Sequence, residues 1–375
     1  MKDTTIRQEI QQTVIAYNRS IEAVVGLDLG DKKSCMTRLE LNGTDSLSCS
    51  IRTSASALTK YFSKQKRLRV VIEAGSHSNW IAQLLERLGH EVIVAHPRQL
   101  KLISVSPSKN DRRDAGLLAE LGLTSPKLLA PTQPRSHQTL TDRCTLVSRQ
   151  VLVGARTKLI NSVRGQMKIF GLRVSQGDAS SFAARARAEL PKDLRTALGA
   201  LLTIIGQLSG QIQRMDQRVQ RLAETRYRET AWMRQIQGVG PTTSLAFALA
   251  LDNDPARLRK SRDAGAFVGL RPKQRESGSR SPELGISRIG DRTLRCLLVP
   301  CAHYVLGRHG EDSALRRWGL KLADRGGKNA KKRAIVAVAR KLAVLMHLLW
   351  SRGEVYDPFY GVERPVERPE AQAAA

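Results

Sequence analysis

The sequence predicts an α/β domain with a mixed sheet, followed by a long remainder that is mainly helical. Three observations predict it. β-branched runs are confined to residues 21–95, extended helical patterns take over after Pro126 and Pro131, and the first part orders three strands before alternating helices and strands.

Residues 1–20 read as a short polar helix, and the opening MKDTTIRQEIQQT lacks signal-peptide character. IEAVVGLDLG (21–30) has the composition of a buried strand. CMTRLEL and SLSCSIRT follow as two more, with Asn42-Gly43 between them as a hairpin turn. A helix is expected over 54–65, a strand at LRVVIEA (68–74), a helix at WIAQLLERLG (80–89) closed by Gly89, and a strand at HEVIVA (90–95). Long helices follow over 138–170 and 196–226, separated by a Gly/Ser/Pro-containing stretch. In the second, Ile205, Leu208, Ile212, Met215, Val219 and Leu222 alternate spacings of three and four, the seam of a coiled coil. That seam suits packing within the chain and an oligomer contact equally. A compact basic helical domain is expected from 231, with Ala334 to Trp350 as a core helix and a disordered tail ending VERPEAQAAA.

Charge is the compositional outlier. The 375 residues carry 62 Lys+Arg against 34 Asp+Glu, a formal net charge of +28. Such an excess favours a polyanionic partner, because neutralised phosphates release condensed counterions. An aromatic share of only 4% argues against a single-strand binder built on base stacking. No stretch approaches the roughly 20 uninterrupted apolar residues of a membrane span, so a cytoplasmic protein is expected. The five cysteines, Cys35, Cys49, Cys144, Cys296 and Cys301, include no CxxC pair and are expected as reduced, small core residues.

Four acidic residues stand out in the first part. Asp28 sits in a strand otherwise made of Val, Leu and Gly, where a charge is costly unless paired or bound to a metal. Glu73 ends the strand VVIE, at the carboxyl edge of a sheet where α/β sites form. Asp111 and Asp114, three apart, share one helix face, with Ser108 as the expected N-cap. Oxygen ligands of this kind suit a hard cation such as Mg²⁺, and a metal pair can stabilise both oxygens of a phosphodiester displacement. Each residue alone also fits a structural role, and Asp31 is a poorer ligand candidate. The order strand Asp, strand-end Glu, helical Asp pair gives the set its specificity.

Two features of the second part can be read physically. Gly238, Gly240 and Pro241 open a helix with a tight turn suited to a phosphate, although Gly-Val-Gly is also an ordinary helix connector. Ser277 lies in a polar Gly/Ser loop with Lys273, Arg275, Arg280, Arg288 and Arg292 nearby. Guanidinium groups favour an alkoxide and neutralise developing phosphate charge, but most serines in basic loops only touch phosphates.

VVGLDLGDKKS, VVIEAG and KNDRRDAGLLAEL together resemble the RuvC-like domain of the DEDD transposases, the bridge-RNA-guided recombinases of bacterial insertion sequences. GVGPTTSLAFALAL, FVGLRPKQRESG, GISRIGDRTLRCLLVPCA and AIVAVARKLAVLMHLLWSRG resemble, in this order, the transposase domain that follows it in the same family. The resemblance implies an RNase H-like (RuvC-like) fold for residues 22–125, after an extension over 1–21. It implies a helical linker and coiled coil over 126–230, a transposase domain over 231–357 and a tail over 358–375. It implies Asp28, Glu73, Asp111 and Asp114 as ligands of Mg²⁺, with Mn²⁺ as the alternative. Ser277, just before Gly278, is then the nucleophile that forms a covalent phosphoserine–DNA intermediate, and Ser279 is the weaker candidate. Asn110 stands where the family commonly has Thr, and Glu276 where many members have a hydroxyl residue. RTKLINSVRG brings Arg156, Lys158 and Arg164 as RNA or DNA contacts. The partners implied are donor and target DNA, a structured guide RNA, and further copies of the chain in a dimer or tetramer, at the bacterial nucleoid. The rivals are a metal-dependent junction nuclease that uses water and a non-catalytic RNA-binding protein.

Overall fold

The computed structural model describes residues 20–41, 46–97, 110–275 and 284–361. The expected N-terminal helix, the Asn42-Gly43 turn, Ser108 and the last residues of the tail lie outside these. Contacts divide the chain into two units, Met1–Arg135 and Ser136–Ala375.

Among the described residues of the first unit, five strands form one sheet: β1 (Ala23–Asp28), β2 (Lys33–Glu40), β3 (Ser46–Arg52), β4 (Arg69–Glu73) and β5 (Glu91–Ala95). The order is β3-β2-β1-β4-β5. β2 runs antiparallel to both β1 and β3, while β1, β4 and β5 are mutually parallel. This mixed sheet fits the RNase H-like expectation. The period-2 alternation of a strand explains why it is covered on both faces. Ala23, Val25, Leu27, Val70 and Ile72 join a core with Leu58 and Phe62 of α1 (Ala55–Phe62) and Ile81 and Leu85 of α2 (Ser78–Arg87). Val24 and Val71 point the other way, into a core with Leu118, Ala119 and Leu121 of α3 (Asp111–Thr124). Gly89 follows α2 with φ +90°, the left-handed turn its sequence position calls for. The outer edge of β5 is closed by the chain itself: His96 N donates to Leu129 O (2.9 Å) and Thr132 N to Val94 O (2.8 Å).

The second unit is mainly helical in its described residues. α4 (His137–Ile169) and α6 (Lys192–Thr225) form an antiparallel hairpin, with α5 (Phe182–Glu189) packed near its tip. Arg226 bonds Asp142 (2.7 Å), Arg149 bonds Asp216, and Arg156 bonds Ser209 (3.3 Å), so the partners climb α4 as they descend α6. The seam read from the sequence is therefore covered by a helix of the same chain: Ile205, Ile212 and Val219 are buried, while Leu208, Met215 and Leu222 flank them half-buried. α5 falls in the Gly/Ser/Pro-containing stretch, where the sequence pattern predicts no helix.

Leu146, Val219 and Tyr227 at the open end of the hairpin share one core with the helices that follow. Those are α7 (Thr230–Arg234), α8 (Pro241–Ala250), α9 (Ala264–Phe267), α10 (Arg292–Leu306), α11 (Ala314–Ala323) and α12 (Ala330–Arg352). Apolar contact thus groups the hairpin and the helices after it into one compact unit that begins at Ser136. α12 is long and apolar enough by composition to cross a membrane, but Val338, Leu342 and Met346 on it are fully buried in this core. The cysteines depart from expectation: Cys301 alone is buried, Cys35 is half-buried, and Cys49, Cys144 and Cys296 are exposed.

Candidate active site

The first candidate site is the carboxyl edge of the parallel strands. Leu27 pairs with Ile72, so Asp28 and Glu73 each stand one residue further along adjacent strands. Alternation puts both on the face opposite Leu27 and Ile72, the face covered by α3. α3 runs antiparallel to these strands. Its C-terminal end lies by their start, where Arg69 Nη1 donates to Gly122 O (3.0 Å). Helix and sheet cross closely at Gly26, where a Cβ would fall 1.9 Å from Ala115 O and 2.6 Å from Ala119 N. From Ala115 the helix reaches back about 6 Å to Asp111 at 1.5 Å per residue, while β1 advances about 7 Å from Gly26 to Asp28. The N-terminus of α3 thus lies at the edge that carries Asp28 and Glu73.

Asn110 caps α3, its side chain accepting from Arg112 N at 3.0 Å; the expected cap, Ser108, is two residues too early. Asp28, Glu73 and Asp114 are half-buried and Asp111 is exposed. Cys35, the strand partner of Asp28, records the neighbourhood. Burial pushes its thiol pKa up, the Arg112 guanidinium draws it down, and the Asp28 and Asp111 carboxylates push it up again. The charges of β1 and α3 therefore both act on this one thiol. Among the described residues, no three His, Cys, Asp or Glu side chains converge tightly enough to form a ready-made metal cluster. By chemistry the donors nonetheless suit a hard divalent cation, being carboxylate oxygens only.

Sequence reasoning missed two neighbours at this edge. His77 Nε2 lies 3.5 Å from Asp31 Oδ1, and Trp80 Nε1 donates to His77 Nδ1 (3.1 Å), which leaves the His77 proton on Nε2, toward Asp31. Asp31 is thus paired outside the carboxylate set, and its side chain is 88% exposed. The other is Arg112, one of the two arginines between the aspartates of DRRD, whose charge acts on Cys35.

The second candidate region is the basic loop between α9 and α10. Ser277, Ser279 and Arg280 lie outside the described residues, but the two ends of their loop are pinned together. Pro272 bridges Ile286, Lys273 N donates to Gly285 O (3.0 Å), Ser287 N to Arg271 O (2.8 Å) and Arg288 N to Gly269 O (3.1 Å). At the root, Gly290 has φ +144°, and a Cβ there would sit 2.2 Å from Phe267 O. Asp291 then caps α10 by accepting from Leu294 N (3.0 Å). Lys273, Arg275, Arg288 and Arg292 are all exposed around this base.

The other predicted contacts separate. Gly238 has φ +87° and packs on α10, where a Cβ would meet Tyr304 at 3.0 Å and Cys301 O at 3.3 Å. Gly240 is the N-cap of α8 and Pro241 its first residue. Not every N–H of this turn faces outward, since Val239 N donates to Ile236 O (3.0 Å). On the hairpin, Lys158 is exposed, Arg156 bonds across to α6, and Arg164 lies over the Phe182 ring (5.3 Å).

Two family models match the chain. Residues 25–171 match a DEDD transposase model of the IS110 type, and residues 230–318 match the transposase family IS116/IS110/IS902. A putative transposase, y4pF/y4sB, of Sinorhizobium fredii is 29% identical over 90% of this chain and 87% of its own length. A probable family 20 transposase of Pseudomonas aeruginosa is 29% identical over 89% of this chain and 98% of its own. The transposase for insertion sequence element IS1111A of Coxiella burnetii is 29% identical over 76% of this chain and 79% of its own.

Proposed function

Since this chain belongs to the DEDD transposase family of IS110-type insertion sequences, we propose that it cuts and rejoins DNA with Ser277 as nucleophile and a structured RNA as guide. Transposases of this family act on DNA, and DEDD domains typically use divalent metal ions. The observation that carries the reading is the meeting of Asp28, Glu73 and the N-terminus of α3 on one face of one sheet edge.

Asp28 and Glu73 would hold the ion from the strands, and Asp111 and Asp114 from α3. A bound Mg²⁺ or Mn²⁺ supplies neutralisation of phosphate charge. The Ser277 Oγ forms a bond to phosphorus as the bond from phosphorus to one sugar oxygen breaks. The hydroxyl proton ends on the departing oxygen. A sugar hydroxyl of the exchanged strand then displaces Ser277, so each bond broken is matched by one formed and no external energy source is needed. Lys273, Arg275, Arg288 and Arg292 support this by their exposure around the pinned base of the serine loop. The arginines favour the alkoxide and the crowded phosphate. Guide RNA would read sequence by base pairing while the protein holds backbone and shape. Further copies of the chain would complete the assembly on DNA, in the cytoplasm at the nucleoid.

The test is a denaturing gel for protein covalently attached to DNA, using full-length chain, element DNA and co-expressed element RNA. Wild type and Ser279→Ala should form adducts, while Ser277→Ala should form none and still bind DNA. Metal-dependent cutting by Ser277→Ala without an adduct would replace this reading with hydrolysis by water.

A further inference from the structure

Among the described residues β3 forms an open edge of the sheet, in contrast to β5, whose outer side is closed by residues 129–132. All of β3 is exposed except the half-buried Ile51, and Leu47 is 65% exposed. The strand carries none of the features that usually blunt an edge: it has no Pro, no Lys and only a terminal Arg52 as charge. Its sequence, SLSCSIR, is also nearly palindromic about Cys49. Ser48 mirrors Ser50, and Leu47 mirrors Ile51.

We propose that β3 of one chain pairs antiparallel with β3 of a second copy about a two-fold axis at Cys49, joining two sheets into one. A two-fold contact requires a patch complementary to itself, and this palindrome meets that requirement. In this register Leu47 of one copy stands opposite Ile51 of the other, giving the exposed leucine an apolar cross-strand partner. Arg52 stands opposite Ser46, and the two Arg52 side chains lie about 20 Å apart, six residue steps along the strand. No like charges meet. A seven-residue seam is smaller than the roughly 1,000 Å² expected of an interface that is stable alone. It therefore works alongside other contacts, and the test should read proximity rather than mass. Cys49 would face Cys49 at a Cα separation of about 4.5–5.5 Å, within the range that a disulfide spans.

Full-length chain carrying Cys144→Ser and Cys296→Ser retains Cys49 as its exposed thiol, since Cys35 is half-buried and Cys301 buried. Diamide, which takes up the two electrons and two protons released, should convert it to a disulfide-linked dimer on a non-reducing gel. The rate should exceed about tenfold that of chains keeping only Cys144 or only Cys296 exposed, because pairing raises effective concentration. In a Cys49→Ser background, a mixture of Ser48→Cys and Ser50→Cys chains should crosslink faster than either alone. Cys49 reacting no faster than either control would overturn the pairing. Ser48→Cys alone crosslinking as well as the mixture would overturn the register.

Discussion

Asp28 and Glu73 occupy matching steps on neighbouring parallel strands, each one residue beyond the Leu27–Ile72 pair. Both stand on the sheet face that α3 covers, at the edge where that helix begins.

If these four residues act as one metal site, Asn or Gln at any of them should abolish cleavage. Asp111→Asn is the cleanest case, because Asp111 is exposed. Its stability should stay within about 0.5 kcal/mol of wild type, as for other surface changes. A cleavage assay beside a denaturant melt measures both, and full cleavage by this variant, or by wild type in excess chelator, would sink the metal reading.

Gly26→Ala should damage both fold and site. The added methyl would overlap Ala115 O and Ala119 N, backbone atoms that cannot swing aside. Displacing α3 should cost about 1–3 kcal/mol or more, as overpacking does. Gly116→Ala is the control: nothing lies within 4 Å of its Cβ, so it should be neutral or stabilise by about 0.5–1 kcal/mol. Chemical denaturation separates the two.

Asp142 predicts an acid-labile hairpin base. Burial alone would raise its pKa, but hydrogen bonds from Arg226, Tyr227 and Gln138 outweigh that and hold the carboxyl below its usual range. Its contribution to stability is therefore full above the unfolded value of about 3.9 and is lost as pH falls through the lower folded value. Tyr227, whose own pKa burial and the Asp142 bond push up to about 12, donates to Asp142 at 2.9 Å. Tyr227→Phe should lower stability near neutral pH by about 1.5–3 kcal/mol, the range for a bond to a charged group. It should also flatten the acid dependence. An unchanged acid midpoint would remove Asp142 from this role.

Lys273 and Arg275 provide an electrostatic test. If both contact duplex phosphate, replacing either with Ala should lower the slope of log affinity against log salt by about one. Binding should weaken to a similar degree across sequences. Slopes equal to wild type would place the DNA elsewhere on the protein.

The strands of the first unit are legible because each is a short β-branched run punctuated by turn residues, and Glu73 can be read as strand-terminal from VVIEAG. The cap of α3 is ambiguous in sequence because Ser108 and Asn110 are both good caps, and only backbone geometry distinguishes them. The partner of the α6 seam is illegible for another reason: heptad spacing specifies an apolar stripe but not whose helix covers it. The Asp142 network escapes sequence reading because its members are 84 and 85 residues apart, beyond any local pattern. Cys49 and Cys144 are not the core residues their type suggests, because one stands on an open strand and the other on an outer helix face.

The hairpin of α4 and α6 is about 50 Å long, from 33 residues at 1.5 Å each. It is fixed at one end, where Asp142, Arg226 and Tyr227 bond and Leu146 and Val219 join the core of the following helices, which is the geometry of a lever. A base tilt of roughly 5° would carry its tip about 4 Å, more than one strand step. The Asp142 network stands at the near end of this arm, beside the apolar contacts of Leu146, Val219 and Tyr227, so any change of packing there would be magnified at the far end.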